Sequence, residues 1–454
     1  MFFQIELLYF LVMISVFIVL VTLAKVPSGI AMMASALIGG ILYWIISKET
    51  VGIRYYVEGA FGYIDTILII TAAMIFMGGL EACGALDFIS AFLVKYLHKV
   101  PTLLLLMFML IIMFPGMVTG SSMSSIVCSG ALLAPIMIKM GIPKARTGAI
   151  IAIGAILGMI APPINVPVMA ICDVVDIPFQ GFTLPLLALT IPLAIFSVLF
   201  LGRKYVKNID MDAMAEVIDF SILERWIPKK DENGEVLLNE DGTPQMVKNS
   251  INWTCLIGLI VFILLVVFES IFPRIFGSLG MTLIFVIATI PTFFTGRKHN
   301  PLKVLKDGVY KSFGAMSLLM GVGMFVEILT LIGSRGWFVA NAISLPKIWQ
   351  YVAMFITLPV FGGISAFGSA SILGGPFVMA LVASDNIIIA SSLSLLAGLG
   401  ELLPPTAMSA TFASGVVGED KYIKITKEAL IPLIVSMVYA MIFILFISNV
   451  WRAA

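Results

Sequence analysis

Long apolar runs separated by short polar stretches make up most of the chain. Each run continues for about 20 residues, the length that an α-helix needs to cross a hydrocarbon core of roughly 30 Å. The runs are continuously apolar, whereas the strands of a membrane β-barrel alternate between apolar and polar positions. The pattern therefore predicts an all-α polytopic membrane protein. The one long polar stretch, 203–250, divides the chain into two halves.

The apolar runs predict the same order of elements in both halves. In the first half, 1–202, we expect scaffold spans over 5–80, a hairpin over 101–138, a broken helix over 147–177 and a span over 183–201. In the second half, 251–454, the corresponding elements are scaffold spans over 253–333, a hairpin over 349–383, a broken helix over 387–417 and a span over 429–450. We expect both hairpins to be re-entrant, because several of the segments around them are short for a membrane span.

A Pro-Pro pair interrupts an apolar run at a similar place in each half. The sequence AILGMIAPP ends at Pro162-Pro163, and the sequence AGLGELLPP ends at Pro404-Pro405. Proline lacks a backbone N–H and clashes with the carbonyl four residues earlier, so each pair breaks its helix. Hydrocarbon offers no water to the freed backbone groups, so such a break persists only where protein or a cavity satisfies them. Two breaks in corresponding positions indicate the binding site of a secondary transporter.

Basic residues are unevenly distributed between the two ends of the predicted spans. If each hairpin enters and leaves on one side, most of the 27 Lys and Arg residues share a face with the 203–250 linker. The positive-inside rule makes that face cytoplasmic. Each half then crosses an odd number of times, which inverts the second half and predicts an inverted-repeat transporter. The opposite face carries Lys48, Arg54, Arg274, Arg335, Lys347 and Arg452.

The linker itself has two interpretations. Its Asn233-Gly234 and Asp241-Gly242 pairs are turn signals. The linker is therefore either a solvated connection between the halves or a small β-hairpin.

The composition excludes several functional classes. Hydrophobic residues make up 60% of the chain and charged residues 12%, and the mean hydropathy is +1.10, all far from the values of a soluble domain. A net charge of +1 without a basic patch gives no reason to expect a nucleic-acid partner. The four cysteines are scattered, and the chain lacks phosphate-binding glycine loops and nucleophile–base pairs. We therefore expect no enzyme activity, no organic cofactor and no metal other than Na⁺.

Clusters of glycine and serine precede each Pro-Pro break and are the candidate hairpin tips. Glycine allows unwound backbone, and exposed carbonyls with small hydroxyl groups suit a coupling ion such as Na⁺. The alternative is that these small residues only permit close helix packing. The candidate Na⁺ ligands are Gly120, Ser121, Ser122 and Pro162 in the first half, and Gly368, Ser369, Ser371 and Pro404 in the second.

The candidate substrate ligands lie at the tips and beside the breaks. Asn165 and Thr406 adjoin unwound backbone, although the alternative for Asn165 is that it only caps freed backbone groups. Glu401 lies deep in an apolar run, where an ionisable group is a functional hypothesis by default, and the alternative is a structural glutamate. Ser124 and Ser365 complete the set.

The distribution of charge also bears on the substrate. We expect no lysine or arginine at mid-membrane depth, so a carboxylate would be balanced by helix dipoles, amides and bound cations. This balance favours cation-coupled uptake.

The motifs of the first half resemble those of a known family. They are Gly120-Ser121-Ser122, Ala134-Pro135, Lys139-Met140-Gly141-Ile142, Gly154 and the stretch from Leu157-Gly158 to Pro162-Pro163. Together they are similar to the large membrane subunit, the DctM-like permease, of tripartite ATP-independent periplasmic (TRAP) transporters. The resemblance is best over about 75–200, and the second half is similar in plan.

The resemblance implies a mechanism and partners. It implies an elevator-type transporter of the ion transporter superfamily in the cell inner membrane, in which the hairpins and broken helices move against a fixed scaffold. It also implies Na⁺ sites at both tips and a small organic acid as substrate. The partners would be a small four-helix membrane subunit and a periplasmic substrate-binding protein. The alternative is a standalone Na⁺-coupled carboxylate symporter or antiporter of the same superfamily, and a membrane enzyme or channel is a more distant one.

Overall fold

A computed structural model describes residues 2–206, 218–228, 246–251, 253–271, 280–381, 385–404 and 406–448. Within these ranges, eight helices have the length and hydropathy of a membrane span. The prediction of a helical polytopic membrane protein is confirmed. Besides the helices, the described residues form one small two-stranded sheet in the linker.

Ten helices form the first half, and one of them, over 85–97, lies between the segments predicted from the sequence. They are α1 (Phe2–Thr22), α2 (Ser28–Ser47), α3 (Ile53–Phe61), α4 (Ile64–Ala82), α5 (Ala85–Leu97), α6 (Pro101–Thr119), α7 (Ser122–Lys139), α8 (Lys144–Ile160), α9 (Val166–Val175) and α10 (Thr183–Gly202). The predicted 101–138 hairpin corresponds to α6 and α7, and the broken helix to α8 and α9.

The described residues of the second half form nine helices in a similar order. They are α11 (Ile257–Ile271), α12 (Gly280–Thr292), α13 (Pro301–Leu331), α14 (Ser334–Ser344), α15 (Lys347–Gly362), α16 (Ala366–Ala380), α17 (Asn386–Leu399), α18 (Met408–Val417) and α19 (Tyr422–Ile442). Where the first half has two helices, α3 and α4, the second has the continuous 31-residue helix α13.

The linker contains a short antiparallel sheet. Strand β1 (Glu224–Pro228) pairs with β2 (Met246–Ile251), with an irregularity in register between Arg225 and Trp226. Of the two interpretations of the linker, the structure therefore has the β-hairpin. The predicted turn residues, together with 207–217 and the rest of 229–245, lie outside the described residues.

Each hairpin is made of two helices joined by a very short connection. Helix α6 ends at Thr119. The next residue, Gly120, has a φ of 64°, the left-handed conformation that glycine adopts without strain, and Ser121 is extended before α7 begins. In α7 and in α16 the first four residues are α-helical and the next five form a π turn. Such π turns occur frequently at functional sites. Residues 382–384, at the end of the predicted second hairpin, lie outside the described residues.

The helices pack in two groups. In one, α13 packs against α2, α3 and α4, and α12 lies beside α4. Gly321 and Gly323 of α13 allow this contact, since a Cβ on either would clash with the carbonyl oxygen of Gly29 or Gly59. In the other group, α8 packs against α6, α10, α18 and α19, while α17 packs against α9, α15 and α19.

Helices α8 and α17 are the interior of the second group. Every residue of α8 from Thr147 to Ile160 is buried, and so is every residue of α17 from Ile388 to Leu399. An apolar helix can face either lipid or protein, and the complete burial of these two stretches shows that they face protein. The two helices that run into the Pro-Pro breaks are therefore enclosed by other described helices, and both breaks follow from buried segments.

Candidate functional site

The freed backbone groups at both breaks bond to the neighbouring hairpin tips. After the first break, the Ile164 N–H donates to the carbonyl oxygen of Met117 at 3.2 Å. After the second, the Thr406 N–H donates to the carbonyl oxygen of Gly363, also at 3.2 Å. Each hairpin therefore supplies a hydrogen-bond acceptor for a backbone N–H group that would have no partner in hydrocarbon. Pro405, the second proline of the second pair, lies outside the described residues.

Glycines bring each hairpin into backbone contact with its broken helix. A Cβ on Gly158 would clash with the carbonyl oxygen of Met113, and a Cβ on Gly400 would clash with that of Pro359. Both glycines stand four residues before the first proline of their pair. Each broken helix crosses the backbone of its hairpin at this glycine, and the close contact leaves no room for a side chain. The shared position of the glycine therefore accounts for the similarity of the two Pro-Pro motifs.

The two predicted tips use their serines differently. In the second tip, Ser365 Oγ accepts from the Gly368 N–H at 3.1 Å, and Ser369 Oγ donates to the Leu358 carbonyl at 2.7 Å. Ser371 Oγ donates to the Gly368 carbonyl at 3.4 Å. These three side chains are buried and bonded to the hairpin's own backbone. Ser121 and Ser124 of the first tip are only half-buried.

Glu401 links the first tip to the second break. Its Oε2 atom accepts hydrogen bonds from Ser122 Oγ at 2.5 Å and from Ser409 Oγ at 2.6 Å. Glu401 is 6% exposed, and both serines are fully or almost fully buried. Ser122 and Glu401 were predicted as site residues, and the structure brings them together. Ser409 was not among them, although it stands in the same polar stretch as Thr406.

Asn165 also crosses between the halves. Its Oδ1 atom accepts from the Val168 N–H at 2.9 Å and so caps α9. Its Nδ2 atom donates to the carbonyl oxygen of Ile160 at 2.8 Å and to Ser394 Oγ of α17 at 3.1 Å. The side chain is fully buried, so the structure gives Asn165 the geometry of a cap for the broken helix.

A cavity of about 570 Å³ opens between the two helix groups. From the first tip it is lined by Thr119, Gly120, Ser121 and Ser124, and from the second break by Thr406 and Met408. Thr406 Oγ1 donates to the Gly363 carbonyl at 2.6 Å. The predicted residues Ser122, Glu401 and Asn165 lie behind this wall. Pro162 is buried, Pro404 is exposed, and neither lines the cavity.

Two lysines line the same cavity from the first helix group, and within the described part of the chain no aspartate or glutamate does. Lys25 lies just before α2 in a left-handed conformation, and Lys311 lies in α13. Lys311 Nζ pairs with Glu81 Oε2 of α4 at 3.1 Å, with both side chains about half exposed. The expectation that no lysine or arginine lies at mid-membrane depth stays a prediction. Sequence reasoning did not name either cavity lysine as a site residue.

The described residues contain no group of three or more His, Cys, Asp and Glu side chains that could hold a metal ion. The polar groups of the site are instead hydroxyls, backbone groups, one buried carboxylate and the cavity lysines. The hydroxyl groups and the lysines of this set can donate hydrogen bonds to an anion.

Comparison with known proteins agrees with this geometry. The family model for the DctM component of the tripartite ATP-independent periplasmic transporter matches residues 14–450. The anaerobic C4-dicarboxylate transporters DcuB of Escherichia coli O157:H7 and Shigella flexneri are each 24% identical over 351 residues. These alignments cover 72% of this chain and 75% of each relative. The family and these relatives are transporters, which points away from an enzyme.

Proposed function

The chain belongs to the DctM component family of tripartite ATP-independent periplasmic transporters, and on that premise we propose that it carries a small organic acid across the cytoplasmic membrane, coupled to Na⁺. The observation that carries the proposal is the cavity between the two helix groups. Lys25 and Lys311 give it positive charge, the first tip gives it hydroxyl groups, and none of the acidic residues that the structure describes lines it. A cavity with this lining attracts an anion.

The substrate class follows from the same charges. Each lysine is a compact point charge with three donors, suited to one carboxylate of a substrate. The DcuB relatives are C4-dicarboxylate transporters. We therefore propose a small dicarboxylate, with one carboxylate at Lys25 and the other competing with Glu81 for Lys311.

The proposed mechanism is an elevator between inverted repeats. It is supported by the recurrence of the hairpin–broken-helix order and by the division of the helices into two packing groups. The group with α8 and α17 would move, and the group with α13 would stay fixed. Charge sidedness assigns Lys25 and Lys311 to the cytoplasmic ends of their spans, so the cavity would open to the cytoplasm.

Na⁺ coupling rests on the tips and the charge balance. Unwound backbone at Gly120 and the broken helices present carbonyl groups of the kind that coordinate Na⁺ in secondary transporters. A cation bound there offsets the charge of the incoming carboxylates. The family further implies a small four-helix membrane subunit and a periplasmic binding protein as partners.

Lys311→Gln tests the assignment of the cavity. We expect the KM for dicarboxylate uptake to rise about tenfold, since a hydrogen bond to a charged group contributes roughly 1.5–3 kcal/mol. Uptake is measured in proteoliposomes with and without the small membrane subunit and the binding protein. Uptake without these partners would favour a standalone carrier.

Two controls accompany this variant. The double variant Lys311→Gln, Glu81→Gln removes the ion pair without leaving Glu81 unpaired, and we expect the same rise in KM. Lys424→Gln removes a lysine that pairs with Glu419 away from the cavity, and we expect an unchanged KM. An unchanged KM in both Lys311 variants would contradict the proposed substrate site.

A further inference from the structure

Glu401 is a buried carboxylate with no charged partner among the described residues. The hydrogen bonds that it accepts come from two serine hydroxyls, and both reach the same oxygen, Oε2. None of the described lysines or arginines forms an ion pair with it. A carboxylate taken out of water needs a compensating positive charge, and a hydroxyl supplies only part of it. As the ionised carboxylate, Glu401 therefore needs one positive charge beside it.

Two buried serine hydroxyls without a partner among the described residues lie further along the helix that carries Ser122. Ser125, one turn further along α7 from Ser122, is fully buried, and its Oγ atom has no hydrogen-bond partner in the ranges that the structure describes. The same holds for Ser129, another turn along the helix. In the second hairpin, Ser369 holds the place of Ser125 at the start of the π turn, and its hydroxyl donates to the Leu358 carbonyl. Unpartnered buried hydroxyls are rare and call for a ligand or water.

We infer that Glu401, Ser122 and Ser409 form a Na⁺ site between the first hairpin and the second broken helix. The inference rests on the proposed Na⁺ coupling and adds a site that is separate from a tip-and-break site within one half. A carboxylate and two hydroxyls are oxygen ligands of the type that hard cations prefer. One carboxylate neutralises one Na⁺, whereas a divalent cation would leave a buried net charge.

The site has no counterpart in the other half. Met159 stands three residues before Pro162, where Glu401 stands three residues before Pro404, and a thioether does not hold Na⁺. Each of the three ligands also comes from a different segment: Ser122 from α7, Glu401 from the 3-10 turn after α17, and Ser409 from α18. A bound Na⁺ therefore ties the first tip, which lines the cavity, to the second half. Occupation of this site would set the position of the wall against which the substrate binds.

The test measures Na⁺ binding directly, without transport. The purified full-length chain is heated in detergent with increasing NaCl, with choline chloride holding ionic strength constant, and the unfolding midpoint is followed. We expect Na⁺ to raise the midpoint of the wild type, because a ligand that binds only the folded state stabilises it. We expect Glu401→Gln and Ser409→Ala to need at least about tenfold more Na⁺ for the same rise, by analogy with the loss seen when a supporting ligand is removed.

Matched variants separate this effect from general loss of stability. Ser436→Ala removes another fully buried serine, whose hydroxyl donates to the carbonyl of Pro432 in its own helix. Glu428→Gln removes a glutamate that pairs with Arg146 at 3.0 Å. We expect both controls to keep the Na⁺ concentration dependence of the wild type. If Glu401→Gln does not fold, the test compares the Na⁺ dependence of the unfolding midpoint between Ser409→Ala and Ser436→Ala.

The outcomes distinguish the site from the proposed function. Suppose that the wild type, Glu401→Gln and Ser409→Ala all need the same Na⁺ concentration for the same rise in the unfolding midpoint. The proposed Glu401 site is then wrong, while the proposed Na⁺ coupling is not contradicted. If Na⁺ has no effect on the wild type, both the Na⁺ coupling and this site are wrong. A selective loss of Na⁺ dependence in the Glu401 and Ser409 variants supports the site.

Discussion

The two Pro-Pro breaks make similar backbone contacts with their hairpins but differ in the side chains that surround them. In the first, Asn165 caps α9 and reaches across to Ser394, and its side chain is fully buried. In the second, the residue before α18 is Ala407, which has a φ of 41° and no capping side chain. Beside it, Thr406 lines the cavity. The first break is sealed within protein, and the second is open to the cavity.

The hairpin tips show the reverse asymmetry. The first tip contributes several residues to the cavity wall, whereas the second contributes only Phe367 among the described residues. The serines of the second tip are bonded to their own hairpin. The cavity is therefore made from the tip of one half and the break of the other. Two similar halves thus divide the polar contacts between them, while the glycine crossings remain common to both.

The largest effect should come from the shared crossings. We expect Gly158→Ala and Gly400→Ala each to destabilise the protein by about 3 kcal/mol, because the new methyl group would meet a carbonyl oxygen of the hairpin backbone. Thermal unfolding in detergent measures the loss. Similar losses would confirm that the two crossings are equivalent.

A glycine without such a neighbour provides the control for this pair. Gly415 lies in α18 and is exposed, and apart from its chain neighbours and the nearby backbone of α18 no described atom lies within 4 Å of the position of a methyl group on it. Gly415→Ala should stabilise the protein by about 0.5–1 kcal/mol through helix propensity. A loss of stability in only one of Gly158→Ala and Gly400→Ala would show that the two halves differ in these backbone contacts as well as in the side chains around the breaks.

A smaller effect should come from the seal of the first break. We expect Asn165→Ala to cost about 2 kcal/mol, because it removes the cap of α9 and leaves buried partners at Ile160 and Ser394. Asn300→Ala is the matched control, since Asn300 caps α13 at an exposed position, and we expect a loss of about 1 kcal/mol. Chemical or thermal unfolding gives both values. Equal losses would show that the contact between the halves contributes nothing.

The smallest effect should come from the open break. Ala407 is held in the left-handed region, which costs a non-glycine residue roughly 1–2 kcal/mol. Ala407→Gly should relieve this strain, and after the entropy of glycine in the unfolded chain we expect a gain of about 0.5 kcal/mol. Ala410→Gly, in the interior of α18, should instead lose about 1 kcal/mol. Thermal unfolding in detergent compares the two variants, and a loss at Ala407 equal to that at Ala410 would contradict the strain.

Much of the frame could be predicted from the chain. The ends of α6 to α9 fall within a few residues of the segments 101–138 and 147–177, because hydropathy and proline act locally. The re-entrant course of the hairpin stays a prediction. Glu401 and Ser122 were singled out for the same local reasons, one as a carboxylate in an apolar run and one as a hydroxyl at a tip. The cavity lysine Lys311 was missed, because a helix that extends beyond its apolar run gives no local signal of where its residues face.

The sequence by itself determined the spans, the tips and the positions of both breaks, since each depends on residues close together in the chain. Only the tertiary structure decided which polar groups of one half contact the other half. Ser122 and Glu401 are 279 residues apart, and Asn165 and Ser394 are 229 apart. Contacts at such separations depend on how α7, α8 and α17 pack against one another. That packing follows from the shapes of whole helices, and no single motif in the chain records it.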